Sequence, residues 1–213
     1  MIKAIIFDLD GTLVDSYPGI HQSLNEMLRA LNLPEVDLET VKRRVGRGIF
    51  NLMQESVPPD LVPRALELFR RSYDQTHLSG TSILPGVKET LEALKRRQIR
   101  MAIASNKPAE FTRNILKHLK IDSFFAAVAG PEGEIRPKPH PSMLDFLMKS
   151  MGVDPQETLY VGDMTLDSET ARNAGATLAL IATGGHTKEE LESVRPDYLF
   201  SSMNELVKEV IRD

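Results

Sequence analysis

Short runs of apolar, β-prone residues alternate along this chain with longer stretches in which apolar positions recur every three to four residues. Five runs stand out: 2–7 (IKAIIF), 100–104 (RMAIA), 124–129 (FFAAVA), 158–161 (TLYV) and 177–182 (TLALIA). Their alternation with amphipathic stretches predicts an α/β fold with a parallel sheet covered on both faces. Several helices are marked by their ends. Asp60 precedes LVPRALELFRRSY as a candidate N-cap, while Gly152 and Gly175 follow apolar-periodic stretches as candidate C-terminal glycines. Thr187 with Glu190, and Ser202 with Glu205, have capping-box spacing and predict a short helix and a C-terminal helix.

The gap between the first two runs breaks the alternation. Nearly ninety residues lie there, and their pattern is helical over about 17–31, 38–45, 48–56 and 60–77, with Pro34, Pro58 and Pro59 as punctuation. One crossover helix needs far fewer residues, so an all-helical domain is expected at 16–80, inserted into a Rossmann-like parallel sheet core formed by 1–15 and 81–213. Pro85-Gly86 then opens the helix that leads back to the sheet.

Composition narrows the function classes. With 213 residues, 41% of them hydrophobic, the chain can bury a full core. A net charge of −4 gives no basic face for nucleic acid. The absence of cysteine removes disulfides, thiolate metal sites and thiol nucleophiles. The first apolar run is interrupted by Lys3 and stopped by Asp8, too short to serve as a signal-peptide core or to span a bilayer. The expectation is a cytoplasmic monomer or homodimer that binds neither nucleic acid nor membrane.

In open α/β sheets chemistry sits at the carboxyl ends of the strands. The first run ends in Asp8-Leu9-Asp10-Gly11-Thr12, the second in Ser105-Asn106-Lys107, and the fourth in Gly162-Asp163, with Asp167 four residues on. Carboxylates crowded at a sheet tip repel one another, and a bound cation relieves that repulsion. Oxygen ligands without cysteine or clustered histidine favour a hard ion, and Mg²⁺ is the natural choice where a phosphate completes its shell. Asp8 and Asp10, two apart, point to the same side of an extended segment, so one could attack phosphorus while the other protonates the leaving oxygen. Gly11 would let backbone N–H groups approach a phosphate. Lys138, flanked by Pro137 and Pro139, could hold an ammonium near the phosphoryl oxygens or stand as a surface lysine in a stiff loop. Ser105 and Asn106 could bind phosphate or cap the next helix. Lys107 reads as a solvated helix-start residue. Arg47, between Gly46 and Gly48, reads either as a solvated loop residue or as a contact to the non-phosphate end of a substrate.

DLDGTLVDS (8–16), SNK (105–107), KPHP (138–141) and GDMTLD (162–167) together resemble the four ordered motifs of the haloacid dehalogenase-like hydrolase superfamily, and the inserted helices resemble its cap domain. The resemblance implies that Asp8 is the nucleophile and a metal ligand. Asp10 would be the general acid/base and would give its main-chain carbonyl to the metal. It further implies that Ser105, helped by Asn106, holds the phosphoryl group, that Lys138 ties Asp8 to the phosphate, and that Asp163 binds Mg²⁺, with Asp167 and Thr12 in support. Asp10 separates the chain from true dehalogenases. PGVKETLEALK after the insertion and VGRG within it are similar to phosphoglycolate phosphatase-type members. The implied activity is hydrolysis of a small phosphorylated metabolite; a phosphomutase, a pyrophosphatase and a silent binding module are the alternatives. Met164 stands where many relatives carry a small hydroxyl residue, which removes one possible hydrogen bond from the fourth motif.

Overall fold

A computed structural model of the chain describes residues 1–210. The chain runs from β1 (Ala4–Phe7) through the two-residue β2 (Val14–Asp15) into four helices, α1 (Tyr17–Ala30), α2 (Leu38–Arg44), α3 (Ile49–Gln54) and α4 (Val62–Thr76). It returns through β3 (Ser82–Ile83) and α5 (Val87–Arg96) to β4 (Arg100–Ala104), α6 (Ala109–His118), β5 (Ala127–Ala129) and α7 (Ser142–Met151). It ends with β6 (Thr158–Gly162), α8 (Thr165–Ala174), β7 (Thr177–Ile181), α9 (Lys188–Ser193), β8 (Tyr198–Phe200) and α10 (Met203–Val210).

The main sheet has the order β5-β4-β1-β6-β7-β8, with every neighbouring pair parallel. Alternation along β1 divides the core. Ile5 and Phe7 pack with Leu91 and Leu94 of α5 and Ile115 of α6, while Ala4 and Ile6 pack on the opposite face with Leu144 and Leu147 of α7 and Ala171 of α8. Both faces are therefore dry, which is why these strands read as nearly continuous apolar runs. Phe7 pairs with Ile103 on one side and Val161 on the other, so β1, β4 and β6 end at the same height. The chain leaves β1 for β4 and β5 and later crosses back to β6, which makes this central trio the topological switch point.

The four helices between β2 and β3 have their own apolar cluster, built on Ile20, Leu24, Leu28, Leu52, Met53 and Phe69. An antiparallel ribbon, Val14 opposite Ile83, holds the two ends of this segment together. Among the described residues, no helix is long and apolar enough to cross a membrane.

Three sequence expectations need correction. Asp60 caps nothing: it lies in a 3₁₀ turn (Pro59–Leu61), and α4 starts after Leu61 with Pro63 in its first turn, a residue with no N–H to be capped. The expected strand at 124–129 is limited to Ala127–Ala129, because 122–124 is taken up by another 3₁₀ turn. The sheet also has a sixth strand, β8, that the apolar runs do not show. It is a half-buried edge strand of three residues after Pro196 and Asp197, and the Asp197 carboxylate accepts the Leu178 N–H at 2.8 Å. Three end signals are present: Gly152 and Gly175 terminate α7 and α8 in left-handed conformation, and Thr187 and Glu190 exchange their capping hydrogen bonds. At α10, by contrast, Ser202 Oγ donates to the Glu205 side chain at 3.4 Å and the carboxylate accepts the Ser201 N–H in place of a capping box.

Candidate active site

The three central strand ends and two loops bring the predicted residues together. Asp8, directly after β1, accepts the Leu9 N–H on Oδ1 at 2.7 Å and faces the Lys138 ammonium with Oδ2 at 2.8 Å. Lys138 also donates to Asp167 at 2.8 Å and to the Tyr160 hydroxyl at 3.1 Å, and Tyr160 donates in turn to Asp167 at 2.8 Å. Asp163 follows β6; Thr12 donates to its Oδ1 at 2.7 Å. Asp167, in the first turn of α8, accepts the N–H groups of Asp163 and Met164 on its other oxygen. Asp8, Asp163, Asp167 and Lys138 are all buried.

Burial sets the electrostatics. The Asp8 carboxyl is pushed up from its ordinary 3.8 to about 6, chiefly by desolvation, with Lys138 working in the opposite direction and Asp167 adding repulsion. Asp163 is raised well above the usual carboxylate range by burial and by the charges of Asp8 and Asp167. For Lys138, burial lowers the ammonium's pKa, but Asp167 and Asp8 outweigh it and hold the group charged.

Three buried carboxylates, if all ionised, would set two uncompensated negative charges against one buried ammonium, and a bound cation is what would keep them ionised. Ligand oxygens of Asp8, Asp163 and Asp167 lie within 4.8 Å of one another, so this cluster could hold a metal ion. The donors are unevenly spent. Asp167 is saturated by Lys138, Tyr160 and two backbone N–H groups, whereas Asp163 Oδ2 is buried without any hydrogen-bond partner. Glycines flank that oxygen: a Cβ on Gly11 would come within 2.3 Å of it and one on Gly184 within 1.7 Å. An orphaned carboxylate oxygen in a cradle of glycines, close to Asp8, fits a divalent cation. Gly11, at φ +80°, donates its own N–H to the Val14 carbonyl, so what its missing side chain admits is the Asp163 carboxylate.

Asp10 stands apart from the buried cluster. Its Oδ1 accepts from Ser16 Oγ at 2.5 Å and pairs with Lys107 Nζ at 3.2 Å, which fixes the carboxyl at the wall of the cleft it lines together with Asp8 and Ser105. Ser105 Oγ accepts the Lys107 N–H at 3.3 Å and keeps a hydroxyl proton to donate.

Two expectations about side chains, for Lys107 and Asn106, change here. Lys107 is not solvated: α4 lies over it, Tyr73 accepts a hydrogen bond from it, and Asp10 together with Tyr73 holds it protonated despite burial. Asn106 spends its amide on the backbone, accepting the Lys138 N–H at 2.8 Å and donating to the carbonyls of Lys138 and Gly46 at 3.3 and 3.0 Å. It therefore sets the position of the lysine and ties the helical segment to the sheet, and its amide is not left to grip a phosphoryl group. Arg47 is exposed and absent from the cleft lining, to which Gly46 and Gly48 contribute instead. Met164 is buried against the helical segment, so close to Gly46 that a Cβ there would meet its sulfur at 2.0 Å. Thr12 supplies the hydroxyl hydrogen bond to Asp163 from another strand end. Ser16, Tyr73 and Tyr160 were not legible as site residues. The one available signal was Tyr160, a phenol inside an otherwise apolar buried strand.

Comparison with known proteins covers nearly the whole chain. Residues 5–181 match the haloacid dehalogenase-like hydrolase family. The phosphoglycolate phosphatase of Pseudomonas syringae pv. tomato is 34% identical over 214 residues, covering 96% of this chain and 78% of that protein. The phosphoglycolate phosphatase of Escherichia coli K12 is 33% identical over 230 residues, covering 97% of this chain and 91% of that one. Among solved structures, a predicted phosphoglycolate phosphatase from Haemophilus somnus 129PT has a TM-score of 0.92 at 30% identity, covering 99% of this chain and 98% of that chain. The family match runs from β1 to the end of β7 and so includes each strand end that contributes to the site; the chain belongs to the haloacid dehalogenase-like hydrolase family.

Proposed function

We propose that the protein is a Mg²⁺-dependent phosphatase that hydrolyses a small phosphate monoester through a phosphoryl group carried on Asp8. The observation that carries this reading is the buried Asp8 carboxylate, held 2.8 Å from the Lys138 ammonium and grouped with the unpartnered oxygen of Asp163. In this reading residues 16–80 form a cap over a core of 1–15 and 81–213, and the cleft between them takes a diffusible metabolite in the cytoplasm.

An Asp8 oxygen forms a bond to phosphorus as the bond to the leaving oxygen breaks, and Asp10 gives its proton to that oxygen. Asp10 then accepts a proton from the water that displaces Asp8 and releases inorganic phosphate. Ser105 donates to a phosphoryl oxygen, and Lys138 offsets charge on both Asp8 and the transferring group. Held by Asp8, Asp163 and the Asp10 main-chain carbonyl, Mg²⁺ would supply further positive charge against the phosphate. Asp167, Tyr160 and Asn106 fix Lys138, and Ser16 and Lys107 fix Asp10. The test of the class is phosphate release from a panel of monoesters with Mg²⁺, and its loss with EDTA.

Asp10→Asn separates the two half-reactions. Hydrolysis of alkyl phosphates should fall by roughly 10²–10⁴-fold, whereas an activated aryl phosphate, whose leaving group needs little protonation, should still phosphorylate Asp8. Rapid mixing is expected to show a burst of phenolate stoichiometric with enzyme, followed by a stall. Wild-type turnover of an alkyl ester by this variant would remove Asp10 from the acid/base role.

The metal site predicts a stability effect with a definite pH sign. Between 3.8 and about 6 the folded protein keeps the Asp8 proton that the unfolded chain gives up, so this contribution is present below 3.8 and is lost as pH rises through 6. The loss is on the order of 3 kcal/mol for such a shift. Mg²⁺ should therefore raise the melting temperature of EDTA-treated protein more at pH 8 than at pH 5. Asp163→Asn should raise the metal-free melting temperature and abolish the Mg²⁺ response; a variant that still responds to Mg²⁺ would place the ion elsewhere.

A further inference from the structure

Beyond Asp10 the cleft changes character. Its walls there are Ile20 of α1, Val45, Ile49 and Leu52 around the start of α3, Phe69 of α4 and Phe111 of α6. Tyr73 joins the two phenylalanines, stacked on Phe69 at 5.4 Å and edge-on to Phe111 at 5.1 Å. The polar groups of this region are already engaged. Lys107 is the one cation that lines the cleft among the described residues, and it is held by Asp10 and Tyr73; the Asn106 amide is held by Lys138 and Gly46. Arg47, the cation best placed in sequence to meet an anionic substrate end, is exposed and outside the lining.

Resting on the phosphatase reading above, we infer that the leaving group is an uncharged, largely apolar alcohol, branched aliphatic or aromatic, and that Ile49, Leu52, Phe69 and Phe111 select it. A carboxylate on the leaving group, as in 2-phosphoglycolate, would give up its water to a wall of methyl groups and ring edges whose one cation, Lys107, is already paired with Asp10. A hydrophobic group in the same place gains contact with that wall and leaves no buried charge unpaired. The chain would thus differ in substrate from the activity its relatives' names carry.

The test compares kcat/KM with saturating Mg²⁺ for 2-phosphoglycolate, isobutyl phosphate and benzyl phosphate. Isobutyl phosphate replaces the carboxylate by an isopropyl group of nearly the same shape, and all three leaving groups are primary alkoxides. Both apolar esters should exceed 2-phosphoglycolate by about tenfold or more. Phe111→Leu should lower benzyl relative to isobutyl phosphate. Ile49→Arg, at a half-buried position, should shift the isobutyl-to-phosphoglycolate ratio by about tenfold toward the acid. Melting curves establish that each variant is folded, and the wild-type ratios decide the matter if one is not. Phosphate release with 2-phosphoglycolate equal to or better than isobutyl phosphate overturns the inference and leaves the phosphatase reading intact; the backbone around Gly48 would then supply the anion contact. No phosphate from any of the three, with benzyl alcohol also undetected, overturns the phosphatase reading and this inference with it.

Discussion

Asp8→Asn is expected to keep its fold and lose phosphate release by about 10⁴-fold or more, since in the proposed mechanism Asp8 is the group that carries the phosphoryl group. The fold should survive for local reasons. An amide oxygen can still accept the Leu9 N–H, and Lys138 keeps Asp167 and Tyr160 as partners. Removing a carboxylate whose pKa burial has already raised to about 6 also relieves a desolvation cost at neutral pH. Far-UV circular dichroism and a melting curve should match wild type within a few degrees, and intact mass after quenching with substrate should show no phosphorylated protein. A folded variant retaining several per cent of wild-type turnover would make Asp8 a positioning residue and require another nucleophile.

Lys138→Met should be the most destabilising single change in the site. The ammonium lies 2.8 Å from both Asp8 and Asp167 and 3.1 Å from Tyr160, all buried, and methionine keeps much of the side-chain volume while removing the charge. Breaking a buried pair by removing one partner costs about 3–5 kcal/mol, which for a chain of this size lowers the melting temperature by roughly 10 °C. The pH dependence carries the diagnostic sign. Without Lys138 the remaining carboxyls hold their protons to higher pH in the folded state, and a raised carboxyl contributes stability at low pH that is lost as pH rises. The difference from wild type should accordingly narrow from pH 8 to pH 5. A difference that stays constant across this range would mean that Lys138 acts through packing alone. Turnover should fall with the charge, and Lys138→Arg should restore stability better than activity, since the wider guanidinium cannot occupy the same point between two carboxylates and the phosphate.

Much of this site could be read from the chain before any fold was known, because of where polar residues interrupt apolar runs. Asp8, Ser105 and Asp163 each follow a strand buried on both faces, and a parallel sheet delivers its strand ends to one edge. The spacing of Asp10 from Asp8, the helical gap between the first two strands and the glycine ends of α7 and α8 depend likewise on local geometry. The short edge strand β8 is not legible in the sequence because three residues, of which only Phe200 is fully buried, carry too little periodic signal.

What the sequence by itself determined, then, is the five central strand regions and most of the helices, the acidic residues at the strand ends and the family to which their order belongs. The tertiary structure decided how each polar side chain is engaged. Lys107 looks solvated in sequence and is buried because α4 folds over it to present Tyr73, and Arg47, which reads in sequence either as solvated or as a substrate contact, is exposed while its glycine neighbours line the cleft. Asn106 serves Lys138, which follows it by 32 residues, and Met164 meets Gly46 from the far side of the chain. Periodicity and capping are rules about neighbours along the chain, whereas burial, ion pairing and the apolar lining of the cleft depend on contacts between segments that only folding brings together.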